Sequence, residues 1–260
     1  MEDEIKQRAR KSAERYIDAC GEYSDAFEHE KLVRDWMKTR SVAEKVVQDF
    51  RRRAGEVNGK RLLDLGFGNG MYACAFAHAG AQVSGLEVNP VLLDIAKENM
   101  QEEGVTADLR TYNGNTFPFE DTSFDYAFSV SVLEHVSDAG LFLRETDRVL
   151  KPGGTYFLAF PNRWRPQEAH THILFLSYLP RTWVQFLLRT LLKRNTVEEL
   201  NLHFVSYWSM KRLLRGTSLQ VVPEFEGRGL KGAIKRILWS LGIHHSAILG
   251  TVMIILKKNI

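Results

Sequence analysis

Cysteine is scarce in this 260-residue sequence, and its scarcity excludes two kinds of protein. Cys20 and Cys74 are too few for a disulfide framework and lack the spacing of a metal site. Long apolar runs are also missing, since the C-terminal AILGTVMIIL falls well short of the roughly 20 residues that a membrane-spanning helix needs. The charged N-terminus MEDEIKQRARKSAER has no apolar core, so it predicts no secretory signal. Together these absences predict a cytoplasmic protein.

Charge is unevenly distributed along the chain. Residues 151–260 carry 16 Lys and Arg against five Asp and Glu, whereas residues 1–150 carry 19 against 27. The net charge of +3 hides this difference. The two halves are therefore expected to face different partners or different chemistry.

From Arg61 onward, short apolar runs alternate with segments of helical period, which predicts parallel strands joined by crossover helices. The predicted strands are RLLDL, AQVSGLEV, ADLRTYN, FDYAFSVS, TYFLAF, LQVVPEF and GTVMIILKK. Asn89 and Pro90 have the residue types of a helix N-cap and first helical position. Residues 1–58 are predicted as an N-terminal helical arm, with helices near 2–18 and 41–54. Residues 59–260 are predicted as one α/β domain with an insertion at about 161–200.

A glycine-rich turn, DLGFGNG, follows the first predicted strand. Such a turn lets backbone N–H groups approach a ligand at the carboxyl edge of the sheet. Its glycines are spaced G-x-G-x-G, and the dinucleotide fingerprint requires a sixth-position glycine where Met71 stands. Asp64 beside the loop would repel a pyrophosphate but suits a cationic ligand. Glu87 ends the second predicted strand, where a carboxylate can accept hydrogen bonds from ribose hydroxyls.

This combination resembles the class I S-adenosylmethionine-dependent methyltransferases of the type 11 kind. The stretches NGNTFPFEDTSFDYAF, SVLEHV and RVLKPGG match further family segments in the same order. The resemblance covers residues 60–160 well and LNLHFVSYWSMKRLLRGTSLQVV more loosely. It implies an α/β fold of three layers, αβα, with a mainly parallel seven-stranded, Rossmann-like sheet whose last strand is antiparallel. It also implies S-adenosylmethionine as cofactor.

The resemblance assigns cofactor-binding roles to nine residues. The loop glycines would line the methionine moiety, Asp64 would assist its amino group, Glu87 would hold the ribose, and Val88 would lie against the adenine. Relatives usually have Asp where this chain has Asn115, so that adenine contact loses its charge assistance. The nine are Asp64, Gly66, Gly68, Gly70, Glu87, Val88, Asn115, Thr116 and Ser129.

Methyl transfer to a hydroxyl requires a base, and histidine suits neutral pH. His135, in the LEHV stretch, is the first candidate; the alternative is that it only anchors the following loop. His170 and His172 come second because the insertion after the fifth strand normally helps to form the acceptor pocket in this family. Their H-x-H spacing lacks evident third and fourth ligands, so no metal site is predicted.

Marks of other acceptors are missing from the segment after the fourth predicted strand. It reads SVSVLEHV, without the [DN]-P-P-[FYW] of nucleic-acid amino-methyltransferases or the paired glutamates of arginine methyltransferases. A nucleic-acid partner is therefore not expected. The absences favour O-methylation of a small-molecule, glycan or lipid-linked acceptor. The alternatives are a non-catalytic methyltransferase-like binding module and, less favoured, a nicotinamide-dependent oxidoreductase.

The predicted insertion is basic and aromatic. Residues 161–195 hold six Lys and Arg and one acidic residue. If PRTWVQFLLRTLLKR is helical, Arg181, Gln185, Arg189 and Lys193 form one stripe, and Trp183, Val184, Leu187, Leu188 and Leu191 lie opposite. Two interpretations stay open: a lid packed on the core with a solvated face, or contact with an anionic acceptor or the inner face of a membrane.

Overall fold

The computed structural model describes residues 2–20, 26–191, 201–224 and 230–259. Its strands form a seven-stranded sheet in the order β3-β2-β1-β4-β5-β7-β6. The strand bounds are β1 Arg61–Leu65, β2 Gln82–Glu87, β3 Asp108–Thr111, β4 Phe124–Val130, β5 Leu150–Pro161, β6 Leu219–Val221 and β7 Thr251–Lys258. The first two pair in parallel with Leu65 opposite Leu86, and β7 runs antiparallel to β5. The predicted α/β fold with an antiparallel last strand is confirmed.

Helices connect these strands as the alternating pattern predicts. Their bounds are α1 Glu2–Cys20, α2 Ala26–Met37, α3 Thr39–Ala54, α4 Met71–His78, α5 Pro90–Glu103, α6 Ala139–Val149, α7 Arg181–Leu191, α8 Tyr207–Leu213 and α9 Leu230–Ser240. The predicted cap is confirmed at α5, where the Asn89 side chain accepts a hydrogen bond from the Val91 N–H at 2.9 Å. Such a cap satisfies a donor that the first helical turn leaves without a partner.

Contacts divide the chain into two compact units. The first consists of Met1–Pro118 and Phe124–Phe128, and the second of Phe119–Ser123 and Ser129–Ile260. In the first unit, Phe50 on α3 packs edge-on against Phe76 on α4 and lies 6.2 Å from the ring of Phe128, and all three are fully buried. In the second unit, β5 and β7 supply a buried core that includes Phe157 and Ile254. The predicted domain boundary after residue 58 stays a prediction.

The N-terminal arm packs within the first unit. Arg15 on α1 forms a 2.5 Å ion pair with Glu98 on α5, and Ser12 donates to Asn99 at 3.3 Å. On α2, Trp36 packs against Tyr16 of α1 with ring centroids 3.7 Å apart. This pairing brings α2 close to the glycine loop, as described below.

Several element predictions are corrected. Helices α2 and α9 were not predicted, and β6 ends at Val221 instead of continuing through Glu224; the predicted Phe225 lies outside the described residues. β5 begins at Leu150, because the KPGG segment continues the strand instead of forming a separate turn. In α7, Val184 and Leu188 are buried as predicted, but Trp183 is 65% exposed rather than packed with them. Lys193 of the predicted cationic stripe lies outside the described residues.

Candidate functional site

The glycine loop between β1 and α4 has backbone angles that favour glycine. Gly66, Gly68 and Gly70 have φ of 70°, 54° and 77°, in the left-handed region that L side chains rarely adopt. At Gly70 a Cβ would also lie 2.8 Å from the Cβ of Ala96 on α5. The three glycines therefore let the loop pass close to the end of β1. At these positions no side chain separates the backbone from a ligand.

Glu87 is tied to this loop by its carboxylate. One oxygen accepts a hydrogen bond from the Gly68 N–H at 3.2 Å, and the other accepts from the N–H groups of Val88 and Asn89 at 2.8 and 3.2 Å. Burial raises the pKa of Glu87, and the three backbone donors oppose that rise. The carboxylate is thus fixed in orientation before any ligand arrives.

Asp64 has the opposite surroundings. It is the penultimate residue of β1 and only 1% exposed, and its Oδ2 has no hydrogen-bond partner. Burial, with a smaller contribution from the charge of Glu87, raises the pKa of Asp64 to about 8. A buried carboxylate oxygen without a donor is costly, and a cation or N–H donor at this position would relieve that cost. Asp64 is therefore suited to an ammonium group.

The predicted adenine side lies in the same unit. Val88 is 57% exposed, and a Cβ on Gly114 would lie 3.8 Å from its Cγ1, so the 113–116 loop borders this apolar surface. The Asn113 side chain accepts a hydrogen bond from the Asn115 N–H at 3.0 Å. Asn115 and Thr116 are exposed, which leaves their polar groups accessible to a ligand.

The arm contributes an aromatic ring to this loop. A Cβ on Gly68 would lie 3.9 Å from the Trp36 ring, which is packed on Tyr16. Sequence reasoning missed this contact because α2 was not predicted. The helical spacing of Leu32, Val33 and Trp36 was the available signal.

The second unit contains a cluster of histidines and carboxylates, here called the histidine cluster. Its members are Glu134, His135, Glu168 and His170. His135 and His170 meet with ring centroids 4.9 Å apart and perpendicular planes. Two of the three predicted histidines are thus brought together. His172 is exposed on the same turn with a φ of 57°, and its carbonyl accepts from the Gln167 side chain.

Glu168, which sequence reasoning did not assign, holds His170. Its Oε1 lies 3.0 Å from the His170 Nδ1, and its Oε2 accepts from the backbone N–H and the hydroxyl of Thr171 at 2.6 and 2.8 Å. Burial opposes ionisation of this 4% exposed carboxyl, but the hydrogen bonds from His170 and Thr171 outweigh it and lower the pKa of Glu168 to about 2. An ionised Glu168 favours the proton on Nδ1, and in the neutral imidazole that tautomer leaves Nε2 as an acceptor.

Glu134 lies in the same cluster without such donors. It is 2% exposed, neither carboxylate oxygen has a hydrogen-bond partner, and the His135 Nε2 lies 3.9 Å from Oε1. Burial raises the pKa of Glu134 to about 7. Its backbone carbonyl accepts from the His203 N–H, and the His135 carbonyl accepts from the Asn201 side chain. These bonds fix the LEHV segment in place.

Two side-chain groups among the described residues have spacings that suit a metal ion. They are Glu134, His135 and His170, and separately Glu224, His244 and His245, with ligand atoms within 4.8 Å of one another in each group. The first group overlaps the histidine cluster, so proton transfer and cation binding are alternative uses of the same atoms. A cavity of about 10 Å³ lined by Glu134, Glu168 and His170 holds no more than a water molecule.

Ser129, the remaining predicted cofactor residue, is fully buried in the second unit. Its hydroxyl lies 2.7 Å from the Tyr156 hydroxyl. Its predicted cofactor role stays a prediction. Among the described residues, no helix has both the length and the apolar character to cross a bilayer.

Comparison with known proteins agrees with this geometry. Residues 63–158 match the family model described as a methyltransferase domain. The ubiquinone biosynthesis O-methyltransferase of Bartonella tribocorum is 29% identical over 166 residues, covering 56% of this chain and 66% of the relative. The protein of the same name from Chelativorans is 34% identical over 112 residues, or 43% and 44% of the two chains. The matches thus span between about two fifths and two thirds of these relatives.

Solved structures show the fold. A putative sarcosine dimethylglycine methyltransferase from Galdieria sulphuraria superimposes with a TM-score of 0.58 at 17% identity, covering 87% of this chain and 88% of that one. The [4+2]-cyclase SpnF superimposes with a TM-score of 0.56 at 20% identity, covering 84% and 81%. Since one of these proteins is named a cyclase, the fold alone does not determine the reaction.

Proposed function

We propose that this chain, a class I methyltransferase of the type 11 kind with its methyltransferase domain at residues 63–158, transfers a methyl group from S-adenosylmethionine to a hydroxyl oxygen of a small or lipid-linked acceptor. The observation that carries the cofactor assignment is the buried Asp64, whose Oδ2 has no hydrogen-bond partner, beside a loop of three left-handed glycines. A nicotinamide dinucleotide carries a pyrophosphate and no ammonium group, so it would leave Asp64 without a cationic partner and would oppose its ionisation.

The residues of the glycine-loop site fit S-adenosylmethionine. Asp64 would accept from the ammonium group, the fixed Glu87 carboxylate would accept from the ribose hydroxyls, and the exposed Val88 would cover one face of the adenine. When bound, the cofactor supplies an electrophilic methyl group on a sulfonium. The protein's task is then to bind, orient and exclude water.

In the histidine cluster, His170 is the base that the geometry supports best. Glu168 holds its Nδ1 as a donor, so Nε2 can accept the proton of an acceptor hydroxyl. The ionised Glu168 then stabilises the resulting imidazolium. His135, whose ring stands perpendicular to that of His170, would limit where the His170 ring can move.

Oxygen is the acceptor atom favoured by the names of the relatives, and a base is what an alcohol or phenol acceptor requires. The basic residues 161–195 add a preference for an anionic or lipid-linked acceptor. Trp183 and Phe186 on α7 are each 65% exposed, so we propose that this segment contacts the inner face of a membrane peripherally. The aspartate substitutions Trp183→Asp and Phe186→Asp should then weaken vesicle binding; unchanged binding would contradict that contact.

Isothermal titration with S-adenosylhomocysteine tests the cofactor assignment. Wild-type protein should bind, and Glu87→Gln should weaken binding by about tenfold because an amide accepts ribose hydroxyls without charge assistance. Asp94→Asn, on the exposed surface of α5, is the matched control. The absence of binding at millimolar ligand would contradict the assignment.

Turnover is tested separately. Release of S-adenosylhomocysteine should be measured with a panel of phenols and hydroxylated lipids, with and without a chelator. Turnover that survives chelation supports His170 as the base, whereas loss restored by Mg²⁺ or Zn²⁺ supports a cation in the cluster of Glu134, His135 and His170. Cofactor binding without turnover on any acceptor would favour a non-catalytic module or a different reaction.

A further inference from the structure

Helix α9 carries an apolar stripe on its solvent side. Leu230, Ile234, Ile237 and Leu241 are 77%, 45%, 61% and 69% exposed. Their spacing places all four within an arc of about 60° at roughly 100° per residue. Helix stripes of this kind normally face a core, so four large aliphatic side chains aligned toward solvent indicate a surface made for an apolar environment.

The opposite side and the flanks of α9 complete the pattern. Gly232 is buried on the side that packs on the protein, and Lys231 and Arg236 are exposed on either side of the stripe. Leu230–Ser240 contains no Asp or Glu. An apolar stripe flanked by long cationic side chains is the arrangement of helices that lie in a membrane interface, where the ammonium and guanidinium groups reach the headgroups.

A second exposed segment lies next to α9 in the same unit. The helix packs against the short 3₁₀ turn His245–Ile248, and the Trp239 ring meets that of His244 edge-on at 6.5 Å. Ile248 and Leu249, at the end of this turn, are 67% and 52% exposed. The apolar surface therefore continues beyond the helix into the turn that precedes β7.

The turn is fixed to the loop after β5 by a buried amide. The Asn162 side chain donates to the carbonyls of Ala247 and Leu249 at 2.8 and 2.9 Å. Two residues further on, Trp164 is 46% exposed, with Arg163 stacked on its ring at 5.4 Å. Three separate chain segments carry these exposed apolar side chains, and the contacts of Trp239 and Asn162 join the segments to one another.

We propose that these side chains form a docking face for an anionic lipid bilayer, with α9 lying in the plane of the headgroups. The docking face consists of Leu230, Ile234, Ile237, Leu241, Ile248, Leu249 and Trp164. Charge complementarity selects the occupant, because the exposed Lys231 and Arg236 border the face and Leu230–Ser240 carries no acid. A second copy of the chain would bring like charges together. This face is distinct from the α7 contact proposed above and does not depend on methyl transfer.

Co-sedimentation of the full chain with vesicles tests the docking face without cofactor or acceptor. Wild-type protein should bind vesicles of phosphatidylcholine with about one third phosphatidylglycerol at least tenfold more strongly than pure phosphatidylcholine. The double substitution Ile234→Asp and Ile237→Asp should reduce binding by about tenfold or more, with α7 intact. Lys231→Glu with Arg236→Glu should remove the preference for phosphatidylglycerol.

The matched control is Val42→Asp, since Val42 is 44% exposed on α3 of the other unit. It should bind vesicles as the wild type does. Circular dichroism and cofactor titration check that the α9 variants fold. Equal binding of wild type and the Ile234/Ile237 variant would overturn the proposal. So would light scattering that shows a wild-type dimer which the same substitutions dissociate, because a second copy would then cover the face.

Discussion

The glycine-loop site and the histidine cluster each contain one carboxylate with several hydrogen-bond donors and one carboxylate with at least one buried oxygen that has no donor. In the first, the Glu87 carboxylate accepts hydrogen bonds from three backbone N–H groups, while the Asp64 Oδ2 accepts none. In the second, Glu168 is fully hydrogen-bonded while both Glu134 oxygens lack partners. The hydrogen-bonded carboxylates, Glu87 and Glu168, fix the positions of the groups that donate to them. Asp64 and Glu134, with oxygens that lack donors, keep the capacity to bind a cation or a proton.

The two sites differ in which group the hydrogen-bonded carboxylate orients. Glu87 orients the backbone of a loop, so under the proposed function its effect would be on ligand binding. Glu168 orients an imidazole ring, so its effect would be on proton transfer. If the proposal holds, substitutions should separate the two effects.

The largest effect is expected from Glu168→Gln. Without the carboxylate, His170 loses the partner that holds the proton on Nδ1, and kcat should fall by roughly a hundredfold or more. Cofactor affinity should stay within a factor of about two, because Glu168 is not part of the glycine-loop site. Steady-state kinetics and calorimetry on the same preparation measure both, and an unchanged kcat would contradict the assignment of His170 as base.

Asp64→Asn, in the glycine-loop site, should reduce cofactor affinity without changing proton transfer. Replacing the carboxylate removes the charge-assisted contact to the ammonium group, so S-adenosylmethionine affinity at pH 8 should fall by about tenfold to a hundredfold. The pH profile of kcat at saturating cofactor should not change. Calorimetry supplies the affinity, and Asp94→Asn is the matched control. A shifted kcat profile with intact affinity would assign Asp64 to proton transfer instead.

Glu134→Gln tests how much the ionisation of Glu134, whose carboxylate oxygens have no hydrogen-bond donors, costs in stability. The folded-state pKa of about 7 lies above that of an unfolded glutamate, so the wild-type protein loses stability as pH rises from about 4.5 to 7. The substitution should remove that loss and raise stability at pH 8 by roughly 3 kcal/mol. Urea denaturation at pH 5 and pH 8 measures it. Parallel pH dependence in both proteins would show that Glu134 is ionised at little cost.

Trp36→Ala should have the smallest effect. The ring borders Gly68 of the glycine loop, so its loss should weaken cofactor binding a few-fold by exposing the site to water. Val42→Ala, on the neighbouring helix, is the control for destabilisation of the arm. Affinity equal to that of the wild type would place α2 outside the glycine-loop site.

Sequence reasoning predicted the glycine-loop residues because their geometry is local. A strand, a turn and the end of the next strand bring Asp64 and Glu87 together whatever the rest of the chain does, and φ at the three glycines follows from residue type. The parallel order of the sheet was predictable for the same reason.

The partners in the histidine cluster depend on a chain reversal that no local pattern reveals. Gln167 pairs with Leu174 across a tight turn, and His172 and Phe175 adopt left-handed backbone angles. This turn carries Glu168 to His170 and exposes His172, although both histidines have the same sequence signal. Helices α2 and α9 did have periodic apolar spacing; the stripe of α9 faces solvent, so its significance depends on exposure that sequence alone does not give.

Proton release on cofactor binding tests the central claim most directly, because it reports on Asp64 itself. Burial keeps Asp64 protonated at pH 7, and an ammonium partner should ionise it, so binding should release close to one proton. Calorimetry with S-adenosylmethionine at pH 7, in two buffers of different ionisation enthalpy, measures the number. We predict a release of about one proton in the wild type and about none in Asp64→Asn. Binding with no proton release in the wild type would contradict the account.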